Sequence, residues 1–169
     1  IANFAPIGTK TDPYTGTFNG NGHSISGLSV NGSDAAGLFG YVKGATIQKI
    51  NLCDSQITTT GDYAGGIVGF ATDNAKIENC STNNIRIDAA NSLHVGGIIG
   101  RGENLTEISN CTNTSILTGT YHVGGIAGSI NGSSITNCGN SGDLPATKSS
   151  HVGGIVGFTH GGQISTCYN

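Results

Sequence analysis

Methionine and tryptophan are absent from this chain, proline occurs three times, and only 10% of the residues are charged. Each scarcity excludes something. With Asn, Ser, Thr and Gly standing where helical proteins use Lys, Glu and Ala, the chain favours turns and caps over helix interiors. No segment sustains apolar residues at i, i+3, i+4 and i+7, so almost no α-helix is expected. No apolar run approaches the roughly 18 residues of a membrane span, which excludes insertion of this segment as a helix. Seven basic residues against ten acidic, a net charge of −3, give no electrostatic basis for nucleic-acid binding. The acidic residues are scattered without a repeated pair, which is poor material for acid–base catalysis on a sugar. The nearest approach to a cluster is Asp62, Asp88, Glu103 and Glu107, and the pattern does not favour it. At 169 residues the chain can bury the core of one domain.

What the chain has in abundance is glycine, 29 residues of it, and the glycines are periodic. "AGLFG" (36–40), "AGGIVG" (64–69), "VGGIIG" (95–100), "VGGIAG" (123–128) and "VGGIVG" (152–157) are copies of one motif. Aligned on Gly37, Gly66, Gly97, Gly125 and Gly154, they step by 29, 31, 28 and 29 residues. A second motif follows at a steady offset: "TIQKI" (46–50), "KIENC" (76–80), "EISNC" (107–111), "SITNC" (134–138) and "QISTC" (163–167). A weaker third segment appears as "SQIT" (55–58), "NIRI" (84–87), "SILT" (115–118) and "GDL" (142–144).

A fixed period outranks other signals when a fold is read from sequence. Three short strand-like pieces per 29 or so residues, none able to stand alone, predict an all-β parallel β-helix of about six turns. Residues 1–32 read as an atypical first turn and 33–169 as repeats. The expected core columns are Leu38/Ile67/Ile98/Ile126/Ile155, Ile47/Ile77/Ile108/Ile135/Ile164 and Ile50/Cys80/Cys111/Cys138/Cys167. The chain opens at Ile1 and stops at Asn169 inside a repeat, which points to a piece of a longer protein.

The glycine repeats, led in by "GTFNGNGHSISGL", resemble the GLUG-motif family of secreted and surface proteins, which includes adhesin-like proteins and regions of IgA1-specific peptidases. The resemblance implies a right-handed β-helix, an extracellular or cell-surface location and no catalytic residues. The HExxH of those peptidases is absent here.

Several columns invite a functional reading. The glycine motif lacks GxxxxGK[ST] and recurs in every turn, so it reads as architecture and not as a phosphate loop. Four cysteines lie on the repeat period, with Cys53 off it; no paired spacing suggests zinc, and a column of free thiols is favoured over disulfides. His94, His122 and His151 sit three residues before the aligned glycine, as do Tyr63 and Asp34. They form a line that does not converge on a metal; a pH-sensing ladder and a plain corner position both stay open. Asn79, Asn110 and Asn137 suit an amide ladder at a left-handed corner.

Tyr41, Phe70 and Phe158 follow the closing glycine and could stack on sugar rings or pack a corner, although the lack of Trp weakens a carbohydrate platform. Sequons stand at Asn31, Asn104, Asn113 and Asn131, with Asn79 and Asn110 judged too structural to modify. The second aliphatic of each motif poses a geometric choice. Alternation along a strand would turn Phe39, Val68, Ile99, Ala127 and Val156 outward as a partner-binding stripe, unless a bulge turns them in. No cofactor is called for. The expected partners are a glycan, a host or cell-surface protein, or a second copy stacked end to end.

Overall fold

The structure is a computed structural model that describes residues 3–145 and 149–169. It is an all-β parallel solenoid, and every ladder between neighbouring turns is parallel. Equivalent strands recur at 28 to 31 residues: His94–Gly96 lies between Tyr63–Gly65 and His122–Gly124, and Arg86–Ala89 between Gln56–Thr59 and Ile116–Gly119. There are about five turns, not six. Residues 4 to 14 meet the first turn only through isolated bridges, Phe4 to Val30, Ile7 to Phe39 and Tyr14 to Val42. Pro6 and Pro13 have no N–H to continue a ladder, so this stretch lies over the edge without completing a turn.

A turn holds five short strands where the sequence suggests three. One runs Tyr63–Gly65, Val68–Thr72, Lys76–Glu78, Ser81–Asn83 and Arg86–Ala89. The extra strands have two origins. The glycine motif is broken by a bend at its second glycine and first aliphatic, and the Asn-Cys step is broken by a left-handed residue. Lys49, Asn79, Asn110, Asn137 and Thr166 all sit near φ +50°, between +51° and +55°. Asn is the residue that tolerates this region best after glycine. The amide of Asn137 donates to Asn110 Oδ1 at 2.6 Å, one rung of the expected ladder.

The three expected core columns point inward. Ile67, Ile98 and Ile126 are fully buried, as are Ile47, Ile77 and Ile135 and the thiols of Cys111 and Cys138. All five cysteines are free. On the last turn Ile164 is 47% exposed, because nothing among the described residues lies beyond it.

The second aliphatic is a correction to the outward alternative. Phe39, Val68, Ile99 and Ala127 are fully buried and Val156 is half-buried, so this column is core and not a partner-binding stripe. The hydrogen bonds show why. Ile98 N–H and Ile99 N–H both donate to the carbonyl of Ile126, at 3.0 Å each, and Ile67 and Val68 share Ile98 O in the same way. Two successive donors on one acceptor bend the chain as a bulge does, and both side chains then face the interior.

A further inward column was not foreseen. Leu52, Thr82, Asn113 and Asn140 are in register two residues after the Ile/Cys column and are all buried. Thr82 Oγ1 donates to Asn113 Oδ1 at 2.8 Å, Asn113 Nδ2 to Asn140 Oδ1 at 2.8 Å, and Asn140 Nδ2 to Asn169 Oδ1 at 2.7 Å. A buried polar line is tolerable only when its members satisfy one another, and this one does. It also corrects a sequon: Asn113 is a core residue with no exposed surface and cannot carry a glycan in the folded protein. Asn31 is exposed, Asn131 is half-buried, and Asn104 is exposed with its amide nitrogen donating to Thr72 and Asp73 of the turn before.

Candidate functional site: the glycine seam and its ring-lined groove

The three glycines of the motif have two duties, and both concern space. None of Gly65, Gly66, Gly96 or Gly97 has positive φ. A Cβ on the first, Gly96, would lie 2.1 Å from Ile99 O; on the closing Gly128 it would lie 2.4 Å from Val95 N. The two strands on either side of the bend therefore press backbone against backbone along an inward-folded seam. A Cβ on the second, Gly97, would lie 2.4 Å from Asn113 Cγ, and on Gly125 it would lie 2.2 Å from Asn140 Cγ. That glycine makes room for the buried amide line.

Because the seam folds inward, side chains flanking it converge. One side of the groove carries Tyr63, His94, His122 and His151 in register. The other carries Tyr41, Phe70, Arg101, Ser129 and Phe158. Their rings form one continuous line: Tyr41 to Phe70 at 5.6 Å, Phe70 to Tyr63 at 5.1 Å, Tyr63 stacked on His94 at 5.5 Å, His94 to His122 at 4.9 Å, and His122 stacked on Phe158 at 4.7 Å.

Asp34 does not join the histidine column. The first motif is one glycine short, so Ala36 pairs with Ala64 and places Ala35 opposite Tyr63. Asp34 instead accepts the Tyr41 hydroxyl at 2.7 Å. Burial and that hydrogen bond hold the phenol protonated well above its ordinary range. Tyr41 is only 8% exposed, so it cannot offer a ring face as the sequence suggested; Phe70 is half-buried and Phe158 is 39% exposed.

Arg101 and His94 form the polar centre of the groove. Arg101 Nη1 lies 3.1 Å from His94 Nε2, and its Nη2 pairs with Glu103 Oε1. Arginine can only donate, so His94 Nε2 accepts and the ring proton sits on Nδ1, which meets Ser129 Oγ at 2.8 Å and His122 Nδ1 at 3.1 Å. Burial, the Arg101 charge and His122 push the His94 pKa down to about 4. Burial, His151 and Arg101 lower that of His122. His94 and His122 are thus neutral, hydrogen-bonded rings at neutral pH. Arg101 Nε is the buried side-chain polar atom that lacks a partner among the described residues.

Two hollows open along this groove. One, of about 190 Å³, is lined by Lys10, Pro13, Tyr41, Lys43, Tyr63 and Phe70, among others. The other, of about 210 Å³, is lined by His94, Arg101, His122, Ser129, Asn131, Phe158 and His160, together with Ile130. Among the described residues no group of three or more His, Cys, Asp or Glu is placed to hold a metal ion.

The family model for the GLUG motif matches residues 60–87 and 91–118, the two turns that meet at the Tyr63–His94 stack. The chain carries GLUG repeats. A stretch of 68 residues, 38% of the chain, is 43% identical to halomucin of Haloquadratum walsbyi. That stretch spans 1% of halomucin's length. No solved structure matches the chain. The GLUG motif now has a physical content: the first and last glycines make the seam, the middle glycine admits the amide line, and the two aliphatics both enter the core.

Proposed function

We propose that this chain is a non-catalytic segment of a secreted, cell-surface protein, a rigid stalk that spaces and presents binding surfaces. The observation that carries it is the unbroken register. The ladder from Phe39 through Val68, Ile99 and Ala127 to Val156 never slips, over one continuous apolar core. Such a rod lengthens by about 4.8 Å per turn without changing its cross-section. The GLUG match and the similarity to halomucin support the extracellular placement. Weak repeated contacts along one face would then add through multivalency. Small-angle scattering of tandem copies tests the stalk: the maximum dimension should grow linearly with the number of copies. Growth as the cube root of mass would sink the idea.

A second reading, end-to-end self-association, draws on the last turn, where Val152, Ile164 and Tyr168 are 46%, 47% and 62% exposed. An uncovered turn of this kind can take another turn, from the same chain or from a second copy. Light scattering across concentration separates the two, since a strict monomer excludes the second copy.

A further inference from the structure

The outer column of the groove reads Tyr41, Phe70, Arg101, Ser129, Phe158. Four of these positions hold a ring or a guanidinium. Ser129 alone is small, and the 210 Å³ hollow lies over it. Arg101 stands one turn to one side and Phe158 one turn to the other, so the gap between them is two rungs, about 9.6 Å along the axis. The walls are chemically mixed. Phe158 supplies an apolar face, while Ser129, Asn131, His122 and His160 supply hydrogen-bonding groups.

The charge distribution is uneven. In a chain of net charge −3, three of the seven Lys and Arg residues, Lys10, Lys43 and Arg101, line the two hollows of this groove. Three of the nearby acids are already engaged, Glu103 with Arg101, Asp73 with Lys43 at 3.5 Å, and Asp34 with Tyr41, while the charge of Asp62 also acts on Tyr41 and Tyr63. Arg101 keeps one buried donor unfilled. Each hollow is smaller than the roughly 300–1,000 Å³ of a cleft for a drug-sized molecule. Two small hollows on one straight face suit a chain of small units better than one compact ligand.

We propose that the Ser129 hollow is a subsite for one acidic sugar unit of a glycan chain that lies along the groove toward Lys43 and Lys10. The sugar's apolar face packs toward Phe158, its hydroxyls meet Ser129 and Asn131, and its carboxylate is drawn to Arg101. The inference does not depend on the stalk reading, because a failed subsite leaves the rod unchanged.

The test uses trigalacturonate as the probe and its methyl ester as the neutral comparison, titrated into the whole chain at low salt and followed by NMR. Trigalacturonate should shift resonances of Arg101, His122 and Ser129, and its binding should weaken with added salt. Ser129→Phe puts back the ring that Phe70 and Phe158 carry at this position in other turns, so the fold has a precedent for it. That variant should weaken binding at least about tenfold, or 1.4 kcal/mol. Arg101→Gln, which leaves the hollow open, should also weaken the acid, while leaving any residual affinity for the ester unchanged. No binding at millimolar concentration, equal binding of acid and ester, or unchanged affinity in Ser129→Phe would each overturn the proposal.

Discussion

Replacing Asn113 by alanine should be among the most damaging single changes in this protein, although the residue is polar. Its side-chain oxygen accepts from Thr82 Oγ1 at 2.8 Å and from Ser115 N–H at 3.1 Å, and all three residues are fully buried. Asn113→Ala leaves both donors without an acceptor and without access to water. Each orphaned donor costs about 1–3 kcal/mol, so the loss should be about 2–6 kcal/mol before any cavity term. Asn140 Oδ1 is less affected, since it still accepts from Gly142 N–H. For a domain of this size that loss corresponds to a Tm lowered by roughly 5–20 °C. Leu52 occupies the same inward column two turns away, so the site tolerates an apolar side chain by shape. The pair Thr82→Val with Asn113→Leu should therefore recover about half of the loss, because Thr82's donor leaves with its acceptor while Ser115 N–H stays unpaired. Chemical denaturation with an unchanged m-value is the assay. If Asn113→Ala falls within about 0.5 kcal/mol of the parent, the buried line is not holding the core as argued.

Three other outcomes follow from the same geometry. Gly97→Ala should cost about 3 kcal/mol or more, because the new methyl meets backbone and Asn113 Cγ; Gly132→Ala, in open space at φ +59°, should cost only about 1–2 kcal/mol. A thermal-shift comparison that ranked them the other way would contradict the spatial role of the motif. Folding should weaken as pH falls from about 6.5 toward 4, since the folded state holds His94 neutral and protonation removes the acceptor that Arg101 uses. The full shift is at most about 3 kcal/mol, and roughly 1–2 kcal/mol after screening at this partly open groove. His94→Gln should flatten the stability–pH curve in that window, and a parent curve already flat there would refute the assignment. Native alkylation should modify at most the two half-buried thiols, Cys53 and Cys167, and leave Cys80, Cys111 and Cys138 until the chain unfolds. Mass spectrometry showing three or more adducts on folded protein would place the column wrongly.

The sequence disclosed the columns that are both periodic and apolar. Ile67, Ile98 and Ile126 announce themselves, as do Ile77, Ile108 and the cysteines, because burial selects one residue type at one phase of the repeat. The Thr82–Asn113–Asn140–Asn169 line escaped because its inward residues are polar, and a polar residue is normally assigned to the surface. A signal was present: each stands two residues after Cys80, Cys111, Cys138 or Cys167. The inward second aliphatic was undecidable from alternation, since the bend between Gly97 and Ile99 resets the phase. The histidine column was visible by spacing. The hollow was not, because it depends on Ser129 standing across the seam from His94, 35 residues earlier.

The shared carbonyl at the glycine bend is the feature on which the register, the buried second aliphatic and the groove all depend. Scalar coupling across hydrogen bonds, measured by NMR on labelled protein, reads it directly. The amides of Ile98 and Ile99 should both correlate with the carbonyl of Ile126, and those of Ile67 and Val68 with the carbonyl of Ile98. Correlation of only one amide of each pair, or of either with a carbonyl outside the next turn, would contradict the account.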